Sequence, residues 1–161
     1  MNINRKVMTI IVALAIAGLP VFGGNEKALA KSGAKGSGIE GTWVVTVNLL
    51  NPPPGFPASF TALETYSSGG GLVTTNPLPP APRPGQGQWD KVRGREYKVA
   101  IQFFLFDQAG AHAGSIKVTH SIELVSKDQY TGIGQADFFD LGGNLLASVP
   151  FTSQGERLQV E

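Results

Sequence analysis

Apolar and polar residues alternate with a period of two over most of residues 41–160. The segment that begins at Gly41 places Trp43, Val45 and Val47 on one face, opposite Thr42, Thr46 and Asn48. The segment that begins at Gly114 shows the same alternation. This pattern is typical of strands that have one buried face and one face in water. No helical periodicity lies between the two ends, so we predict an all-β fold.

Eight strands are predicted, and short turns rich in glycine, proline or asparagine separate them. Their predicted bounds are 41–50, 58–67, 72–75, 87–92, 96–107, 114–126, 129–140 and 145–160. We expect the last strand to bend or bulge near Pro150 and Gly155. Short connections favour an antiparallel up-and-down order, and eight such strands can close into a barrel without exposed edges. We therefore predict one domain at 41–161, an eight-stranded antiparallel up-and-down β-barrel.

The segment at 1–30 has the order of a secretory signal peptide. Arg5 and Lys6 precede an apolar run at 7–19, and Ala28-Leu29-Ala30 offers a cleavage site. The run is shorter than the roughly 20 residues that span a bilayer. An uncleaved membrane anchor is the alternative. Residues 31–40 read as a flexible linker, so we expect an exported protein, periplasmic or extracellular, without a membrane span in its mature form.

Composition excludes several classes of function. The chain has no cysteine, so disulfides, thiolate zinc sites and cysteine nucleophiles are absent. Without residues 1–30 the net charge is close to −1, and the basic residues are scattered rather than gathered into a nucleic-acid footprint. The two histidines have no cluster of carboxylates nearby in sequence, so the case for a metal site is weak. We predict no metal, no cofactor and no nucleic-acid partner.

The start of the first strand, Gly41-Thr42-Trp43, resembles the Gly-x-Trp signature of the lipocalin and wider calycin superfamily. In that superfamily the tryptophan closes the floor of the barrel, and an arginine from the end of the barrel packs over its ring. The resemblance implies these roles for Trp43 and for Arg157, the only basic residue after Lys127. The central lipocalin motif of Thr-Asp-Tyr character has no clear counterpart here.

A second resemblance covers most of the barrel region. It connects the chain with small exported bacterial proteins of lipocalin-like type and with barrels of the allene oxide cyclase type. It implies either a binding protein for a small molecule or a cyclase or isomerase. The motifs that carry it are Phe60-Thr61, Gly85-x-Gly87-x-Trp89, Phe106-Asp107 with Gly110, Tyr130-Thr131-Gly132, and Asp140 before Gly142.

The interior of such a barrel is the candidate site. Gly132 and Gly134 on the seventh strand either leave space for a ligand or relieve strain in a strongly coiled strand. The segment 76–86, with five prolines, is either a lid or a stiff surface loop. The predicted ligand-binding set is Tyr66, Tyr97, Phe103, His120, Tyr130, Gly132, Gly134 and Phe138.

Glu64 and His120 are polar residues on otherwise apolar faces. If both point into one cavity, they could form an acid–base pair in which burial raises the pKa of the carboxyl. The alternative is a satisfied core histidine and a glutamate paired with a cation at the end of the barrel. His112, in a turn, is expected to face solvent.

Phe104 and Phe106 fall on the face opposite the predicted core. They indicate either cover by a partner subunit or terminal segment, or scattered surface hydrophobes. Our first hypothesis for function is an exported barrel that binds a small apolar molecule without changing it. The alternatives are a cyclase or isomerase that uses Glu64 and His120, and a filled barrel with a structural or interaction role.

Overall fold

The computed structural model of the protein describes residues 38–78 and 84–160. Within these residues it contains eight β-strands and no helix. The predicted signal peptide, most of the predicted linker, residues 79–83 and the last residue lie outside the described part. The strands are β1 (Gly41–Leu49), β2 (Ser59–Tyr66), β3 (Gly71–Thr75), β4 (Gly85–Arg93), β5 (Glu96–Phe106), β6 (His112–Leu124), β7 (Gln129–Phe139) and β8 (Leu145–Arg157).

The strands form a closed barrel in sequence order. Each strand pairs antiparallel with the next, and β1 pairs with β8, where Trp43 lies opposite Arg157. Because the sheet is closed, every strand has a hydrogen-bonded neighbour on both sides. This protects the barrel from edge-to-edge association. The prediction of an all-β, eight-stranded, up-and-down antiparallel barrel is confirmed.

Four strand ends differ from the predicted bounds by two residues or more. β4 begins at Gly85 rather than at residue 87, β6 runs over His112–Leu124 rather than 114–126, and β8 ends at Arg157 rather than at residue 160. Gly85 reads as part of a loop in the sequence, but it is a strand residue that pairs with Thr74. A side chain there would overlap the ring of Phe103, so packing rather than a turn requires this glycine.

The bulge expected in β8 near Pro150 and Gly155 does not occur. Pairing continues through both residues, and the register of β7 and β8 shifts instead beside Phe139. The carbonyl of Pro150 accepts a hydrogen bond of 2.9 Å from the N–H of Leu50, just beyond the last residue of β1. Since the N–H and C=O of a strand residue point to the same neighbour, proline's missing N–H faces the end of β1, where the ladder stops.

One end of the barrel is closed by Trp43 and Arg157. Trp43 is fully buried, and its indole N–H donates to the carbonyl of Ile39 at 2.7 Å. The guanidinium carbon of Arg157 lies 4.2 Å from the centre of the Trp43 ring. The same guanidinium donates to the carbonyls of Glu40 and Gly38. A cation over an indole contributes about 0.5–2 kcal/mol, so these contacts seal this end and stabilise it.

Gly41 is required by this closure. Its φ of +119° lies in the region that favours glycine, and an added Cβ would lie 2.7 Å from Nη1 of Arg157. In the Gly-x-Trp segment, Gly41 therefore leaves room for the guanidinium of Arg157, and the ring of Trp43 packs against the same guanidinium.

The core fills the closed half of the barrel and continues along the walls of the other half, and its side chains come from alternate residues of the strands. Because β1 starts at the closed end, the connections after β1, β3, β5 and β7 all lie at the opposite, open end. The most deeply buried apolar residues are Ile39, Trp43, Val45, Tyr66, Ile122 and Tyr130. Within residues 38–78 and 84–160, no helix has the length and apolar character needed to cross a membrane.

Candidate ligand-binding cavity

A cavity of about 140 Å³ lies inside the open half of the barrel and is partly open to solvent. An engineered apolar cavity of about 150 Å³ is known to hold benzene, so this one has room for a group the size of one ring. A longer molecule can extend through the open end. The walls are mainly apolar and include Val47, Phe60, Phe103, Val118, Phe138 and Phe151.

Two connections between strands contribute to the mouth of the cavity. Phe56, from the connection between β1 and β2, packs edge-on against Phe138 with ring centres 6.1 Å apart. Asn76 and Leu78, which follow β3, also line the cavity, and the Leu78 N–H donates to Oδ1 of Asn76 at 3.1 Å. These two residues belong to the predicted lid segment, of which residues 79–83 lie outside the described part.

Three buried polar residues form the floor of the cavity. They are Glu64 on β2, Thr74 on β3 and His120 on β6, each at most 5% exposed. Each follows the inward alternation of its strand. On the side of the closed end, the next inward residues are Tyr66, Leu72 and Ile122, all of them buried. The cavity therefore has apolar walls and a polar inner end.

The Glu64 carboxyl is held by two tyrosine hydroxyls. Tyr66 donates to Oε2 at 2.5 Å, and Tyr130 donates to the same oxygen at 2.9 Å. Burial raises the pKa of Glu64, although the two hydrogen bonds act to lower it. Burial and the nearby Glu64 raise the pKa of both tyrosines, which remain hydrogen-bond donors. Within the described residues, Oε1 of Glu64 accepts no hydrogen bond, so this oxygen is available to the cavity.

His120 is a neutral imidazole. Burial lowers its pKa to about 4. Its Nε2 shares a hydrogen bond of 2.7 Å with the hydroxyl of Ser153, and its ring centre lies 5.3 Å from that of Phe151. His120 can therefore offer a hydrogen bond to a ligand without bringing a charge into the cavity.

Glu64 and His120 line the same cavity but share no hydrogen bond within the described residues. Tyr130 lies between them. Its hydroxyl binds Glu64, and its ring centre lies 6.3 Å from that of His120. The structure thus brings together the two residues of the predicted acid–base pair, with a tyrosine between them.

The other predicted ligand-binding residues take different places. Phe103 and Phe138 line the cavity. Tyr66 and Tyr130 lie behind Glu64 and orient its carboxyl. Tyr97 is buried outside the cavity lining, and its ring centre lies 5.8 Å from that of Trp89.

Gly132 and Gly134 make space for neighbouring side chains rather than for a ligand. A Cβ on Gly132 would overlap His120 and Ser153, and a Cβ on Gly134 would overlap the Phe151 ring. The two glycines therefore allow His120 and Phe151 to pack close against β7. In this indirect way they shape the cavity.

Sequence reasoning did not single out Thr74, Ser153 or Phe151. A usable signal existed for each of them. Thr74 follows Leu72 at a spacing of two, and Ser153 follows Phe151 in the same way, so alternation places all of them on inner faces. An inward-facing hydroxyl on an apolar strand face is the pattern that would have found Thr74 and Ser153.

His112 lies on the outer surface, and Phe104 is an exposed residue of the cavity lining. His112 is exposed at the start of β6, and its Nε2 is 3.0 Å from the carbonyl of Gly114. The Phe104 ring, 60% exposed, packs edge-on against His112 with centres 5.5 Å apart. In the part of the chain that the structure describes, no group of three histidine or carboxylate side chains is arranged to hold a metal.

Comparison with known proteins adds no relative. No protein-family model matches the chain, and no curated protein matches it. The barrel, its closed end and its cavity are therefore the observations from which a function is inferred.

Proposed function

We propose that the protein is a lipocalin-like barrel of calycin type that binds a small hydrophobic molecule and does not change it. The observation that carries this proposal is the apolar cavity, which is partly open at one end of the barrel while Trp43 and Arg157 close the other end. Pockets for small molecules are concave and mostly apolar, with a few polar groups that fix orientation. The cavity has this composition.

Burial of apolar surface supplies the affinity. Each square ångström of apolar ligand surface removed from water contributes about 25 cal/mol. The phenylalanine rings of the walls offer the contact area, and the floor offers hydrogen bonds. Binding of this kind needs no reaction step.

The signal-peptide pattern of residues 1–30 supports export, so we propose that binding takes place in the periplasm or outside the cell. A homo-oligomer is a further proposal, and it is supported by the exposed Phe104 ring. The mass of the protein in dilute solution measures the oligomeric state.

A titration with the uncharged fluorophore N-phenyl-1-naphthylamine tests the proposal. Ala136 lines the cavity, so Ala136→Phe should fill it, whereas Ala100 is exposed on the outer face of β5 and Ala100→Phe serves as the control. We expect saturable binding to the wild type and to Ala100→Phe, and affinity about tenfold weaker or worse for Ala136→Phe. Circular dichroism verifies that each variant is folded. Absence of saturable binding to the wild type would favour a filled barrel with a structural role.

A cyclase or isomerase of the allene oxide cyclase type is the second candidate. The observation in its favour is a buried carboxyl whose Oε1 is available in an apolar cavity, with a neutral imidazole in the same lining. The variants Glu64→Gln and His120→Gln distinguish the two functions. A binding protein keeps most of its affinity in both variants, whereas an enzyme keeps binding but loses turnover by about 10²-fold or more.

A further inference from the structure

The floor of the cavity indicates which ligands fit, and this inference rests on the proposed binding function. We propose that Glu64 donates a hydrogen bond from Oε1 to a single polar oxygen, a ketone or a hydroxyl, at the inner end of an otherwise apolar and uncharged ligand. Thr74 provides a second hydrogen bond to the same oxygen. The ligand class is thus a small apolar ketone or alcohol rather than an amine.

The two tyrosines decide which carboxyl oxygen carries the proton. A carboxyl oxygen has two lone pairs, and those of Oε2 already accept hydrogen bonds from Tyr66 and Tyr130. The proton of the neutral acid therefore belongs on Oε1. This oxygen has no partner within the described residues and belongs to a side chain of the cavity lining.

The surroundings favour the neutral acid. None of the described residues that line the cavity is a lysine or an arginine. The imidazole of His120 is uncharged because burial lowers its pKa to about 4. An ionised Glu64 would therefore be buried at the cavity floor without an opposite charge, which is costly. Burial outweighs the two hydrogen bonds from tyrosine and raises the pKa of this carboxyl.

Thr74 is placed to act together with Glu64. The two residues are direct partners across β2 and β3, and both are buried. The Cβ atoms of such a pair lie about 4.5–5.5 Å apart on the same face of the sheet. No hydrogen bond of the Thr74 hydroxyl occurs within the described residues, and the residue lines the cavity. An acid proton and a hydroxyl on two such neighbouring side chains can each donate to one of the two lone pairs of a ketone oxygen.

Competition between eight-carbon probes tests the inference. N-Phenyl-1-naphthylamine is bound to the full-length protein at pH 6 and displaced by 2-octanone, 2-octanol or octylamine, the last of which is cationic. We expect the ketone and the alcohol to compete about tenfold better than the amine. Glu64→Gln should keep this order, because the tyrosines can hold the amide oxygen while the amide N–H₂ takes the place of the acid proton.

Glu64→Leu should weaken 2-octanone about five- to tenfold and change the affinity of the fluorophore by less than about threefold. If octylamine competes better than 2-octanone against wild type, Glu64 acts as a carboxylate and the inference is overturned. If Glu64→Leu does not fold, the order in which the probes compete on the wild type and on Glu64→Gln still tests the inference. Failure of the fluorophore itself to bind would contradict the proposed function instead.

Discussion

At the scale of single residues, Glu64 and His120 respond to pH in opposite directions. Burial favours the neutral form of each side chain, which raises the pKa of Glu64 and lowers the pKa of His120 to about 4. A group whose pKa differs between the folded and unfolded states makes the free energy of unfolding depend on pH. The two residues therefore give separate tests of the cavity floor.

For Glu64, the folded protein holds its proton more tightly than the unfolded chain does. The contribution to stability is fully present below the unfolded pKa, near 4.5, and is lost as the pH rises through the folded pKa. We expect Glu64→Gln to gain stability relative to the wild type as the pH rises above 4.5. Urea unfolding at a series of pH values measures this difference. A constant difference between the two proteins would show that the folded pKa of Glu64 is not raised.

For His120 the sign is reversed. The contribution is present above the unfolded pKa, 6.5, and is lost as the pH falls through about 4. We expect the wild type to lose up to about 3 kcal/mol of stability relative to His120→Gln over this interval, at about 1.4 kcal/mol per pKa unit. The exposed His112 provides the control variant, His112→Gln. Equal pH dependence of all three proteins would contradict a neutral, buried His120.

At the scale of strands, the alternation of apolar and polar residues predicts the eight strands and most of their inner faces. It does not predict which side chains pack against the glycines and so require them. The inward direction of Glu64 and His120 follows from a period of two on β2 and β6. What alternation cannot show is which side chain fills the space beside a glycine. Phe151 comes from another strand, so its packing on Gly134 depends on the register between β7 and β8. The sequence likewise cannot show that two tyrosines meet one oxygen of Glu64.

The variant Gly134→Ala tests this packing. Its new methyl group overlaps the Phe151 ring, so we expect a loss of about 1–3 kcal/mol in the free energy of unfolding. Gly71 on β3 is the matched control, because its nearest neighbour to an added Cβ is 3.9 Å away and its φ is not positive. Gly71→Ala should change stability by less than about 1 kcal/mol. Similar losses in both variants would argue against the close contact.

At the scale of the whole molecule, the barrel has one sealed end and one partly open end. The sealed end depends on the guanidinium of Arg157, which lies over Trp43 and donates to the carbonyls of Gly38, Glu40 and Lys127. The Gly-x-Trp resemblance predicts this closure. The volume and lining of the open half depend on packing among all eight strands, which no single segment of sequence encodes.

The variant Arg157→Lys tests the sealed end. An ammonium group cannot reproduce the planar fork of the guanidinium, so we expect a loss of about 1–3 kcal/mol in the free energy of unfolding. Arg93→Lys is the control, because Arg93 is exposed and pairs with Glu96 on the surface. An equal effect of the two variants would mean that the contacts of Arg157 contribute little to the closure.

The most direct test of a ligand-binding cavity is a crystal structure of the protein with 4′-bromoacetophenone. The molecule joins a ring, a ketone and a bromine atom that anomalous scattering can locate. We predict one molecule inside the barrel, with its bromine toward the open end and its ketone oxygen within hydrogen-bond distance of Oε1 of Glu64. A barrel interior filled by side chains, with bromine found only on the outer surface, would contradict the account.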